Sequence, residues 1–211
     1  MCNFVYEPKK ENMKRIAYPL LLALLVVSAC KNTEKKVDET VEEVEEKLEK
    51  VEKEVEATID TKKISFSLQP KSGSTAKGTV TFMEENGVVS MMAMLEGLEE
   101  GIHAIHIHEK ADCSSPDGKS TGGHWNPTFT DHGKWGAEDG KYHKGDIGNF
   151  MADAEGNGKI SMSTDEWCIG CKDPKKDIIG KAIIVHAGED DYVTQPTGAA
   201  GGRVSCGGII Q

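Results

Sequence analysis

Aromatic residues are scarce, basic charge is in deficit, and no apolar run is long enough to cross a bilayer. Phe, Trp and Tyr together make up 6% of the chain while glycines number 23, a balance that fits a turn-rich β domain better than a helical one. Acidic residues outnumber basic ones 35 to 25, for a formal net charge of −10, which excludes nucleic acid as a partner. The apolar stretch from Ile16 to Val27 falls short of the roughly 20 residues a spanning helix needs.

That stretch has the form of a targeting segment. Lys14 and Arg15 precede it, and it ends in Val27-Ser28-Ala29-Cys30, which resembles the lipobox of bacterial lipoproteins, with the Cys30 thiol as lipid acceptor. An ordinary secretory signal with an incidental cysteine is the alternative. Met13 stands where such a signal begins, so Met1 to Asn12 are candidate surplus residues and Cys2 drops out with them. Residues 1–30 are therefore expected to be a signal peptide. The mature chain is expected in the cell envelope, lipid-anchored to a membrane facing the periplasm or the exterior, where disulfides persist.

Residues 31–61 read as a charged tether, helical or disordered, and from Lys31 to Thr58 it has neither Gly nor Pro. Val37, Val41, Val44, Leu48, Val51 and Val55 recur at spacings of four and three, with Glu43/Lys47, Glu46/Lys50 and Glu49/Lys53 as helix-supporting pairs. A seam of about three heptads is near the lower limit for a coiled coil. It favours a solvated stalk, with self-association into a homodimer as the alternative.

Residues 62–211 have β texture. Ile64, Phe66 and Leu68 alternate with polar residues, and Pro70 to Gly78 reads as a turn. Thr79–Met83 and Val88–Leu95 read as strands joined across Glu84-Glu85-Asn86-Gly87, with further strands at Lys159–Ser163, Gly180–Val185 and Val204–Ile210. Many short strands with Gly-rich turns imply a sandwich or barrel. The stretch from Glu109 to Met151 shows little strand periodicity, and uncovered segments of that length are usually functional. Met91, Met92 and Met94 offer thioethers that suit Cu(I), but methionines in a strand are more often core filler.

The organising strand is Gly101-Ile102-His103-Ala104-Ile105-His106-Ile107-His108. Alternation puts His106 and His108 on one face and Ile105 and Ile107 on the other. Two imidazoles on a stiff strand make one corner of a site for copper or zinc, although such pairs also occur as plain surface residues. His124 follows in Gly122-Gly123-His124-Trp125, His132 in Asp131-His132-Gly133, His143 in His143-Lys144-Gly145-Asp146, and His186 at the end of Ala182–His186. These motifs use all seven histidines of the chain.

From about residue 62 to the C-terminus, the order and spacing of these residues resemble the copper,zinc superoxide dismutase family, as does Arg203-Val204-Ser205-Cys206-Gly207. The resemblance implies an all-β fold, an eight-stranded Greek-key β-barrel (an immunoglobulin-like sandwich) with long metal-binding loops. It implies copper on His106, His108, His124 and His186. It implies zinc on His124, His132, His143 and Asp146, with His124 shared between the metals. Further implications are a structural His103, an Asp190 that accepts hydrogen bonds from His108 and His132, and a Cys113–Cys206 disulfide. The implied reaction converts superoxide to oxygen and hydrogen peroxide by alternate reduction and reoxidation of copper, with Arg203 guiding the anion and His124 carrying a proton. Four imidazoles suit both copper oxidation states, three imidazoles and a carboxylate suit a closed zinc site, and Arg supplies a permanent planar cation.

Cys168 and Cys171 are not part of the family pattern. A local disulfide is the plain reading; a redox-active pair or an auxiliary metal site are the alternatives. The segment from Glu189 to Thr197 carries no Lys or Arg, so attraction of an anion has to come from the metals, Arg203 or a basic residue elsewhere. A metal-delivery protein of the same fold is the alternative function, but such a carrier has no need of His186 and Arg203.

Overall fold

A computed structural model describes residues 61–211 and Lys47; the lipobox, Cys30 and the valine seam of the tether lie outside the described residues. Eight strands follow in order: β1 (Lys62–Pro70), β2 (Lys77–Glu85), β3 (Val88–Glu96), β4 (Gly101–His108), β5 (Gly148–Ala152), β6 (Gly158–Thr164), β7 (Ala182–His186) and β8 (Arg203–Gly208). They close into a barrel in the order β1-β2-β3-β6-β5-β4-β7-β8. All adjacent pairs are antiparallel, and β1 meets β8 through Gln69↔Cys206 and Pro70↔Ser205. The expected eight-stranded Greek-key barrel is therefore the fold.

Period-two patterning builds it. Inward positions carry Ile64, Leu68, Val80, Phe82, Val89, Met91, Ala93, Ile105, Ile107, Ile183 and Val185, all buried. The β2–β3 hairpin turns on Asn86 (φ 52°) and Gly87 (φ 78°), the two successive left-handed residues that a tight I′ turn requires. The methionine run divides: Met91 is core, whereas Met92 and Met94 face solvent at 43% and 60% exposure.

One strand differs from the sequence reading. β5 lies inside the stretch that shows little strand periodicity. It is five residues long, opens with glycine and carries Asn149 second, so its own pattern is too brief to show. Pairing to β4, from Gly101↔Ala152 to Ile105↔Gly148, creates it.

The segment between β4 and β5 contains only a single 3-10 turn, Lys119–Thr121. It runs along the edge of β4 beyond β5, where Trp125 N–H donates to the Ile107 carbonyl (2.8 Å) and Ile107 N–H to Gly145 (2.9 Å), and it closes on itself through Lys110 N–H to Thr121 (3.0 Å). Core on one side and loop on the other leave every residue from His103 to His108 buried. The Cys113–Cys206 disulfide spans 93 residues and ties this loop to β8.

Candidate metal centre

β4 presents His106 and His108 outward, opposite Ile184 and Ala182 of β7. His186 ends β7 beside Arg203 of β8, where the register shifts by a bulge between Val185 and His186. His124 is brought alongside by an isolated bridge to His108. One nitrogen from each of His106, His108, His124 and His186 then lies within 4.8 Å of the others, and the same holds for His124, His132, His143 and Asp146. His124 belongs to both groups. Its ring centroid is 4.0 Å from His106 and 5.3 Å from His132.

The unused atoms define the site. Among the described residues, six buried imidazole nitrogens make no hydrogen bond: His106 Nδ1, His108 Nε2, His124 Nε2, His186 Nε2, and His132 Nδ1 and His143 Nδ1, the last two lying against the Asp146 carboxylate without bonding it. Leaving a buried polar atom unpaired costs about 1–3 kcal/mol, so six converging ones are hard to sustain unless a cation meets them. Their opposite ring nitrogens are held. His106 Nε2 and His132 Nε2 donate to Asp190 Oδ2 and Oδ1 at 2.8 and 2.9 Å, and His108 Nδ1 donates to the Gly122 carbonyl at 3.0 Å. In the second group, Asp146 Oδ1 is 2.8 Å from His124 Nδ1 and 3.2 Å from His143 Nδ1, and Oδ2 is 2.9 Å from His132 Nδ1. Those separations are close to the edges, roughly 3.3 Å, of a tetrahedron whose ligands stand about 2 Å from a metal.

One sequence expectation is corrected here. Asp190 joins His106, not His108, to His132, because His108 spends its second nitrogen on Gly122 of the covering loop. His103 sits away from both groups and bonds the backbone, Nδ1 with His186 O and Nε2 with Glu99 O, each 2.8 Å.

Electrostatics follow burial and partners. Burial drives the His124 pKa down to about 4 against the opposing Asp146 carboxylate, and pushes His108 and His186 well below the ordinary value. Burial also opposes charge on His132, but Asp146 and Asp190 outweigh it and raise that pKa to about 9. Although desolvation works against their charge, both carboxylates fall below the usual range through their imidazole hydrogen bonds. In the metal-free protein at neutral pH, His108, His124 and His186 are therefore neutral, whereas Asp146 is charged and His132 keeps its proton.

A cleft of about 340 Å³, lined by His108, Asp117, Lys119, His124, His186 and Arg203 among others, opens onto the first cluster. Arg203 is half-buried; NH1 donates to Gly118 O (2.8 Å) and Thr121 Oγ1 (2.9 Å), and NH2 to Gly122 O (2.8 Å). Sequence reasoning missed Lys119, an exposed cation on the cleft wall whose ammonium is 3.1 Å from Asp117. It also missed Gln195, which brackets His132 by accepting from its N–H and donating to its carbonyl, both 2.9 Å. Asn149 was missed as well; it holds the Asp190 backbone through bonds of 2.8 and 2.9 Å. Asn149 stands only three residues after Asp146 in the sequence; Lys119 and Gln195 carry no sequence signal for these placements.

The expected disulfides, Cys113–Cys206 and Cys168–Cys171, are both formed.

Residues 76–209 match the family model described as Copper/zinc superoxide dismutase (SODC). The chain is 38% identical over 136 residues to a superoxide dismutase [Cu-Zn] of Caulobacter vibrioides, covering 63% of this chain and 77% of that protein. It is 35% identical over 138 residues to superoxide dismutase [Cu-Zn] 2 of Mesembryanthemum crystallinum, covering 62% and 85%. A solved structure of a double mutant of a SOD-like protein from Bacillus subtilis superposes with a TM-score of 0.61 at 29% identity, over 70% of this chain and 97% of that one. With the barrel, the two clusters and these matches in agreement, the chain belongs to the copper/zinc superoxide dismutase family.

Proposed function

We propose that the protein is a superoxide dismutase: two superoxide anions and two protons become oxygen and hydrogen peroxide. The observation that carries this is the set of six unpartnered, buried imidazole nitrogens divided between two clusters that share His124. His106, His108, His124 and His186 would hold copper; His124, His132, His143 and Asp146 would hold zinc. Bound copper supplies one-electron exchange in both directions, and zinc supplies a fixed positive charge.

The chain's own groups do the rest. Arg203 has five N–H donors, of which three are engaged by Gly118, Thr121 and Gly122. The other two and the guanidinium charge remain for an anion in the cleft. His124 lines that cleft, and its buried, unbonded Nε2 is the atom that can hold a proton and pass it to the reduced product. Asp190 keeps His106 and His132 in one tautomer, each donating its Nε2 hydrogen, so that Nδ1 of both rings is left as a ligand atom. The covering loop keeps bulk water from the buried rings.

Metal analysis with an activity assay tests this: copper and zinc each near one per chain, together with cyanide-sensitive consumption of superoxide. A protein that binds both metals without turnover is instead the metal-delivery protein, a reading that leaves Arg203 beside His186 without a purpose.

The resemblance of Val27-Ser28-Ala29-Cys30 to a lipobox supports lipid attachment at Cys30 and a cell-envelope location, with residues 31–61 as a tether. Mass analysis of the mature N-terminus tests it; an unacylated Cys30 in membrane-free protein contradicts it. Sedimentation with and without residues 31–58 decides between a monomeric stalk and a dimer through the valine seam.

A further inference from the structure

The metal centre makes no use of Cys168 and Cys171, which open the connection from β6 to β7. The two residues just before them grip the chain on either side of His143. Trp167 donates its indole N–H to the Lys144 carbonyl at 2.8 Å, and the Tyr142 hydroxyl donates to Glu166 Oε1 at 2.8 Å. Lys144 Nζ pairs with Glu166 Oε2. Trp167 is itself wedged, 1% exposed, edge-on to Trp135 at 5.3 Å and to Phe82 of the barrel core at 6.0 Å.

No strand includes His143. Its N–H donates to Asp146 Oδ2 at 2.8 Å and its Nε2 bonds the Thr130 carbonyl at 3.2 Å, both within the same long loop, so Glu166 and Trp167 tie this segment to the β6–β7 connection. Behind Trp167 the chain folds back on itself: Cys168 N–H donates to Lys176 O (2.8 Å), Ile178 N–H to Cys168 O (3.1 Å), and the disulfide closes the turn covalently. Cys171 is exposed and is followed by exposed Lys172, Lys175 and Lys176, whereas Cys206 of the other disulfide is fully buried.

We propose that the Cys168–Cys171 disulfide is a clamp on the zinc loop, and that its reduction by a small dithiol speeds loss of zinc while copper stays. This rests on the assignment of zinc to the His124, His132, His143 and Asp146 cluster. A thiolate of the dithiol attacks the Cys171 sulfur, forming a mixed disulfide and releasing Cys168 as thiolate. The second thiol of the reductant then closes its own disulfide and releases Cys171. Two electrons pass from dithiol to protein, and the two cysteines take up the two protons the dithiol gives up. The Cys113–Cys206 pair, with Cys206 buried and Cys113 partly buried, is spared.

The test uses the full-length protein loaded with both metals, before and after limited dithiothreitol treatment, with free thiols mapped by alkylation and mass analysis. Zinc release is followed with a chromogenic chelator. Reduction, the paired substitution Cys168→Ser/Cys171→Ser, and Trp167→Phe are each expected to raise the zinc release rate about three- to ten-fold, the scale of one lost hydrogen bond. Copper retention is expected to stay unchanged. Reduction of the Trp167→Phe protein should add less than the product of the two effects, because both act on one linkage. Amide exchange in the metal-free protein should quicken at residues 142–146 and not in β4. Unchanged zinc release after reduction, or equal acceleration for both metals, overturns the clamp. If the oxidised protein takes up no zinc, the metal assignment fails instead, and the exchange pattern of the metal-free protein still decides whether the clamp exists.

Discussion

Replacing Arg203 with isoleucine removes a half-buried cation from the cleft without touching a metal-facing nitrogen. A unit charge about 4 Å from an anion is worth roughly 1 kcal/mol in water and roughly 4 kcal/mol near a protein surface. Arg203 is half-buried between protein and cleft, so a middle value of about 2 kcal/mol applies, or about thirty-fold in rate. The second-order rate constant for superoxide, measured by pulse radiolysis, should fall by that order and by no less than about ten-fold. The side chain also braces Gly118, Thr121 and Gly122, and Gly122 in turn holds His108. Arg203→Lys separates the two roles: charge without the fork should recover part of the rate and most of its dependence on salt. Copper content should stay intact in both variants. An isoleucine variant with full copper and an unchanged rate would refute the anion-guiding role.

Asp190→Asn keeps the size but removes the charge that both His106 and His132 donate to; copper and zinc affinity should both drop about 10- to 100-fold, measured by competition with chelators, and a loss confined to one metal would contradict the linkage. Gly198→Ala would place a β-carbon against Asp190 Oδ1 and His132 Nε2 at a residue whose φ is 70°, so the metal-free protein should lose about 2 kcal/mol or more; an unchanged urea midpoint would show that the loop yields freely. The metal-free protein should be most stable near pH 6.5. Below it, His108, His124 and His186 stay neutral in the fold but protonate when unfolded, so the unfolded state binds more protons and stability falls with pH, for His124 across the window from about 6.5 to about 4. Above it, the stability His132 gains from being charged is lost as pH rises toward about 9. A urea midpoint flat between pH 4.5 and 6.5 would count against this.

Much of the molecule is legible in its sequence because alternation is a local property. β1, β2, β3, β4, β6, β7 and β8 each announce themselves through residues such as Ile64/Leu68 or Ile105/Ile107, and the Asn86-Gly87 turn through its own backbone demand. β5 is not legible, since Gly148–Ala152 becomes a strand only when β4 offers it an edge. The family resemblance, carried by order and spacing, assigns six histidines and Asp146 to two groups, yet the partner of Asp190 is not legible. Whether His106 or His108 reaches that carboxylate depends on which nitrogen the loop carbonyl of Gly122 captures, a matter of three-dimensional packing. Lys119 and Gln195 escaped for the same reason: nothing in their neighbours along the chain indicates that folding will set one on the cleft wall and the other across His132.

The central claim is that one imidazole ring serves two cations. Anomalous diffraction at the copper and zinc edges from crystals of the loaded protein measures it directly. The account predicts copper beside His124 Nε2 and zinc beside His124 Nδ1, about 6 Å apart given metal–nitrogen bonds of about 2 Å. A single metal, or two metals on the same side of His124, would contradict it.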